Sequence, residues 1–214
     1  MNTNHKYGYG FLEPEPFATV YPGACGYVDG FGQWQPFDIN LENNADLESK
    51  GFKAIDTITK ASPDVRRWGP KQTSTVKHRR TDLSVGGSGA LPAGIPVDAS
   101  IMLTFGLKWG FGAVLIPSGD VVRDRFYHSA PFRKWAKENA ETILEKYPET
   151  KEHGFYVVTT TYSAENVFIN AWTNKDIEVA VGFKAGVTGV GEIGPSTEFY
   201  TAESASAWNK FSVC

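Results

Sequence analysis

From Val97 to Ala113 every odd position is apolar: Val97, Ala99, Ile101, Leu103, Phe105, Leu107, Trp109, Phe111 and Ala113. The even positions between them are polar or small, apart from Met102. A second run repeats this, with Ile177, Val179, Val181, Phe183, Ala185 and Val187 alternating against Glu178, Ala180, Gly182, Lys184, Gly186 and Thr188. Successive side chains of a strand point to opposite faces, so both runs predict strands with one apolar face and one polar or bare face. Each is longer than the roughly 5–6 residues usual in soluble sheets and reaches the roughly 9–11 that a tilted strand needs to cross a bilayer. A membrane barrel requires this division, apolar outside and small or polar towards the lumen. A half-buried strand of a soluble antiparallel sheet requires it too, and alternation alone favours that simpler reading. Gly106, Gly110 and Gly112 permit a bend. The first run is therefore expected to fold as two shorter elements in a soluble form and to straighten in a membrane.

Elsewhere the period changes. Phe132, Trp135, Ala136, Ala140, Ile143, Leu144 and Tyr147 recur at three- and four-residue spacing and predict a helix over 130–147. Ser129 is placed to cap it, Pro131 suits its first turn and Pro148 stops it. Arg133, Lys134, Lys137, Glu138, Glu141 and Glu145 mark its solvent face. Asp29-Gly30, between Cys25–Val28 and Phe31–Trp34, predicts a small hairpin. Residues 38–60 fit short helical turns broken at Gly51, and Pro63, Gly69 and Pro70 mark a loop. Tyr7 to Pro22 reads as irregular structure on a core. The expected class is α+β, a twisted antiparallel sheet with flanking helices, in one domain spanning 1–214.

Composition narrows the function classes. The 214 residues are 41% hydrophobic and 21% charged, enough for a sizeable core, and 14% are aromatic, which argues against long disorder. Cys25 and Cys214, far apart in the chain, build neither a disulfide framework nor a cysteine zinc site by themselves. No secretory or transit signal is evident and a cytoplasmic location is expected. No apolar stretch of about 18 residues predicts a membrane helix, a test that leaves membrane strands open. The net charge of −3 hides a basic island: residues 60–80 carry Lys60, Arg66, Arg67, Lys71, Lys77, Arg79 and Arg80 against one acid, with His78 beside them. Such an island is either a solvated face or a site for an anionic partner, lipid headgroups or nucleic acid. With Trp68 as its one interleaved aromatic and an acidic remainder, the nucleic-acid reading is set aside.

Catalytic and metal chemistry find little support. Gly189-Val190-Gly191-Glu192-Ile193-Gly194 has the glycine spacing of a dinucleotide turn, but Pro195 follows and too little chain remains for the βαβ unit, so a hairpin turn is expected there, as at Gly86–Gly89. His5, His78, His128 and His153 lie apart without a zinc spacing, so no metal or cofactor is expected. Cys25 is expected to be a small core residue and not a nucleophile, and no acid–base pair stands out. An enzyme is the weakest reading.

The stretch Gly154-Phe155-Tyr156-Val157-Val158-Thr159-Thr160-Thr161-Tyr162, followed by Asp176-Ile177-Glu178-Val179-Ala180-Val181, resembles the gasdermin pore-forming domain. The order of an early hairpin, a basic strand region, a long alternating segment, a helix and this pair is similar over about two thirds of the chain. The resemblance implies an α+β protein that binds acidic phospholipids, oligomerises and extends two β-hairpins, from about 73–117 and 155–203, into a lytic pore. It implies lipid-binding roles for Arg66, Arg67, Lys77, Arg79 and Arg80. Ile101, Leu103, Phe105, Leu107, Ile177, Val179, Val181 and Phe183 would face lipid, and Asp98, Thr104, Lys108, Glu178 and Lys184 the lumen. Animal gasdermins add an inhibitory domain and a basic first helix, for which these 214 residues are expected to have no room. The chain looks more like the short fungal gasdermins that regulate cell death in heterokaryon incompatibility, where the partner is a further copy or an allelic variant and the protein moves to the plasma membrane on activation. The rival reading is a soluble β-rich module that binds glycan or protein through Trp34, Trp68, Trp109 or Trp172.

Overall fold

Where the sequence alternates the chain extends, and where the spacing is three and four it coils. A computed structural model describes residues 14–82, 101–183, 199–200 and 208–212. In chain order its elements begin with β1 (Cys25–Val28), β2 (Trp34–Pro36), α1 (Asn44–Ser49), β3 (Asp64–Arg67), β4 (Lys71–Gln72) and β5 (Val76–Asp82). Next come β6 (Ile101–Leu107), β7 (Gly112–Ser118), β8 (Asp120–Arg125), α2 (Ala130–Glu138), α3 (Ala140–Lys146) and α4 (Thr150–His153). The chain continues through β9 (Tyr156–Val157), β10 (Thr160–Ser163), β11 (Asn166–Trp172), β12 (Glu178–Phe183), β13 (Phe199–Tyr200) and β14 (Asn209–Ser212). The class is α+β, with the strands divided among four small antiparallel sheets. Contacts separate the chain into two compact units, Met1–Val65 with Val122–Ser163, and Arg66–Val121 with Ala164–Cys214.

The first unit holds the helices and the sheet β2-β1-β9. The hairpin β1–β2 forms with a longer turn than Asp29-Gly30 alone would make: Asp29 Oδ1 accepts from the backbone N–H groups of Phe31 and Gln33, both at 2.9 Å. Gly32, and not Gly30, takes the positive φ, at 84°. Residues 130–147 form two helices instead of one. Asn139 breaks them, with φ −109° and ψ 10°. Its buried side chain accepts from Lys53 N–H at 2.7 Å and donates to the Trp135 carbonyl at 2.9 Å. That exchange of helical continuity for a tie to a distant loop is invisible to a periodicity argument. Ser129 makes no capping hydrogen bond, although Pro131 sits in the first turn. Phe132, Trp135 and Ile143 join Leu41, Leu47, Phe52 and Phe126 in the core, and the charged face is exposed as its spacing implies. Leu144, 38% exposed, and Ala140, also exposed, depart from the apolar stripe. Cys25 is a core residue, its thiol pushed up by burial, which disfavours the reactive thiolate.

The second unit is built on two four-stranded sheets, β14-β11-β7-β4 and β13-β12-β6-β5. Val114, Ile116 and Phe168 of the first and Val76, Leu103, Phe105, Leu107, Val179 and Val181 of the second share one apolar core with Trp208. The first alternating run breaks into β6 and β7, with Gly110 at φ 70° between them. The second run supplies β12. Residues 97–100, with Asp98, and residues 184–188, with Lys184, lie outside the described residues, as do the glycine turns at 86–89 and 189–194, His5 and Cys214.

Candidate functional site

The sheet β13-β12-β6-β5 gathers most of the residues singled out by the sequence. β6 pairs with β12 along Val181↔Leu103, Val179↔Phe105 and Glu178↔Gly106. β5 pairs with β6 along Arg80↔Leu103, Arg79↔Thr104, His78↔Phe105 and Lys77↔Gly106. Because β5 is an edge strand, four successive residues from Lys77 to Arg80 are exposed, on both faces. A strand edge offers unpaired backbone groups, and charged residues such as these oppose accidental pairing.

The cations differ in their surroundings. Arg80 is tied to Asp82, with Nη2 at 3.0 Å from Oδ1. Lys77 and Glu178 converge over Gly106: a Cβ there would stand 3.0 Å from Lys77 Cε and 3.3 Å from Glu178 Oε1. Arg79 lies between, opposite Thr104, and has no carboxylate partner among the described residues. Arg66 and Arg67 belong to β3, in the separate sheet β10-β8-β3, and are exposed there. Arg67 Nε is 3.4 Å from Asp120 Oδ1. The basic island is thus divided among three sheets, with Arg66 and Arg67 on β3, Lys71 on β4, and Lys77, Arg79 and Arg80 along the β5 edge.

Leu103, Phe105, Leu107, Val179 and Val181, expected to face lipid in a membrane form, are 0–6% exposed in this structure. Ile177 precedes β12 and is 39% exposed. Ile101 and Phe183 lie opposite each other at the far ends of β6 and β12, and their side chains are outside the described residues. Among the proposed lumen positions, Thr104 is buried while Lys108 and Glu178 are exposed. Trp208 escaped the sequence reading: its ring meets Phe105 edge-on at 6.2 Å and its Nε1 donates to the Ala180 carbonyl at 3.4 Å. A lone Trp in a tail with no periodicity gave no signal for this. Among the tryptophans weighed as a stacking platform, Trp34 is buried, Trp68 and Trp172 are half-buried, and Trp109 is exposed.

Among the described residues no group of three His, Cys, Asp or Glu side chains could hold a metal ion, and no helix is long and apolar enough to cross a membrane. No protein family model, curated protein or solved structure matches this chain.

Proposed function

We propose that this chain is a pore-forming protein of the gasdermin kind: it binds acidic phospholipid, assembles with further copies or an allelic variant, and inserts β-hairpins that cause lytic cell death. One observation carries the reading. Residues 101–107 of the first alternating run and 178–183 of the second lie side by side as β6 and β12 in the middle of one antiparallel sheet, whose free edge β5 carries exposed cations. Basic residues near an anionic surface each contribute about 1 kcal/mol of attraction, so Lys77, Arg79 and Arg80 suit a first encounter with such a membrane. Arg66 and Arg67, on β3, are assigned an accessory part.

Insertion has a physical price in this fold. β6 has seven described residues and β12 six, short of the roughly 9–11 that span a bilayer, so both must lengthen. Their apolar faces must leave the core they share with Phe168 and Trp208 and exchange it for lipid. Unpaired strand edges cannot sit in hydrocarbon, so β5 must find a neighbouring strand, which requires closure into a multi-subunit barrel. In this reading the chain rests in the cytoplasm and moves to the plasma membrane on activation.

The near-complete burial of Phe105, Val179 and Val181 favours a second reading, a soluble module that binds glycan or protein and uses these strands only as core. Dye release separates the two. The pore reading predicts release from vesicles containing phosphatidylserine, suppressed by salt and by Arg79→Glu with Arg80→Glu, and little release from neutral vesicles. Glycan binding by a chain that sediments with vesicles of neither type would support the soluble module and defeat the pore.

A further inference from the structure

The second unit sends its chain between its two sheets three times at one end: through 73–75 from β4 to β5, through 108–111 from β6 to β7, and through 173–177 from β11 to β12. The register places them together, since Leu107 pairs with Val76, Gly112 with Trp172 and Gly106 with Glu178. The middle crossing is fastened. Lys108 N–H donates to the Thr75 carbonyl at 2.8 Å, and Thr75 Oγ1 donates to the Phe111 carbonyl at 2.6 Å. Thr73 accepts from Ala113 N–H through its hydroxyl at 3.1 Å and donates its own N–H to the Ala113 carbonyl at 3.0 Å. Gly110 turns the chain at φ 70°, a conformation that L side chains rarely adopt.

This fixed turn holds large apolar side chains in water. Trp109 is 68% and Phe111 46% exposed, and Ile177 on the adjoining crossing is 39% exposed. A polar turn would close the same hydrogen bonds, so the rings are not needed to make it. Two aromatic side chains of this size bury about 300–500 Å² together, below the roughly 800 Å² per partner of a stable protein interface. That area instead suits shallow seating at the headgroup boundary of a bilayer, the level at which tryptophan, apolar in its rings and polar at its N–H, is enriched in membrane proteins. Lys108 in the turn and Lys175 on the adjoining crossing are exposed and can meet lipid phosphates, while Asp176 and Glu178, the latter beside Lys77 over Gly106, keep the net charge small.

We infer that the Lys108–Phe111 turn is a membrane-docking tip, whose Trp109 and Phe111 rings enter the interface of a phospholipid bilayer while the strands are still folded. The inference deepens the membrane reading above and rests on its claim that a bilayer is the target. Because its charge is nearly balanced, ring burial dominates binding at the tip, in contrast to the salt-sensitive strip of β5.

The test compares the wild-type chain, Trp109→Ala with Phe111→Ala, and Arg79→Glu with Arg80→Glu, sedimented with phosphatidylcholine vesicles with and without phosphatidylserine. The tip variant should keep its fold and lose at most a few degrees of melting temperature, since Trp109 projects into water, Phe111 is about half exposed and the turn is closed by backbone and threonine hydrogen bonds. It should need at least about tenfold more lipid for half-binding. It should also lose the lipid-induced blue shift of tryptophan emission. Unchanged vesicle binding by the tip variant, with dye release intact, overturns the docking site and leaves the pore reading standing. Undiminished binding without dye release in the wild type, if lost in the tip variant, keeps the docking site and defeats the pore. A wild type that binds no vesicle overturns the docking site, as does a tip variant that loses self-association in lipid-free solution while binding vesicles as before.

Discussion

Phe105 is core in this fold and would face lipid in the proposed pore. It is buried fully and edge-on to Trp208, yet its place in an alternating run suits a lipid-facing strand equally well. Phe105→Ala should lower stability by about 3–5 kcal/mol in urea unfolding, the usual result of emptying an aromatic core site. Val181, 2% exposed, is equally intolerant. Val181→Asp puts an unpaired charge in the core and should cost more than about 3 kcal/mol, so it tests the fold before it tests insertion. An unchanged urea midpoint would show that position 181 is open to water. Asn139→Ala removes the acceptor of Lys53 N–H and should cost about 1–3 kcal/mol, read in the same assay. Asp29 gives a pH signature. Hydrogen bonds from the Gln33 backbone first, and from Gln35 and the Phe31 backbone after, hold its carboxyl below the ordinary value. A lowered folded value means that its contribution is present above the unfolded value of about 3.9 and is lost as pH falls through the folded one. The Phe31 and Gln33 amide resonances should therefore stay fixed above that unfolded value and titrate together below it. Movement of both well above it would contradict the turn geometry.

Within the strands, glycine separates sites that tolerate a methyl group from sites that do not. At Gly106 a Cβ meets only the flexible ends of Lys77 and Glu178, whereas at Gly112 it would come within 2.9 Å of both Leu107 Cδ1 and Val76 Cγ2 in the core. Gly106→Ala should thus be neutral or stabilise β6 by up to about 1 kcal/mol. Gly112→Ala should destabilise by about 1–3 kcal/mol through overpacking. Thermal melts of the two variants moving in the same direction would refute the distinction. The elements themselves were legible where periodicity is strong: Leu103, Phe105, Val179 and Val181 mark β6 and β12, and Phe132 and Trp135 mark α2. What escaped is what periodicity cannot encode. The Asn139 break depends on a backbone group 86 residues away, and the five-residue turn after β1 depends on which glycine takes the positive φ. The pairing of β6 with β12 depends on contacts across more than 70 positions. Of the basic island, the cations were legible as residues, but not that Arg66 and Arg67 would lie in another sheet from Lys77, Arg79 and Arg80.

For the whole molecule, one set of apolar faces forms the core of the second unit, and the proposed pore would turn the same faces to a bilayer. In the proposed membrane reading, charge on β5 and aromatic rings at the Lys108–Phe111 turn would give the chain two chemically different handles, one sensitive to salt and one much less so. Docking through the turn requires no unfolding, but spanning requires β6 and β12 to exchange Phe168 and Trp208 for lipid. The most direct test of that exchange uses the unmodified chain on phosphatidylserine vesicles whose acyl chains carry a photoactivatable group near their ends, with cross-links mapped by mass spectrometry. Spanning predicts labels on Leu103, Phe105, Leu107, Val179 and Val181, and none on Thr104 or Glu178. Vesicle-bound protein labelled only at its surface, with residues 103–107 and 179–181 untouched, would contradict it.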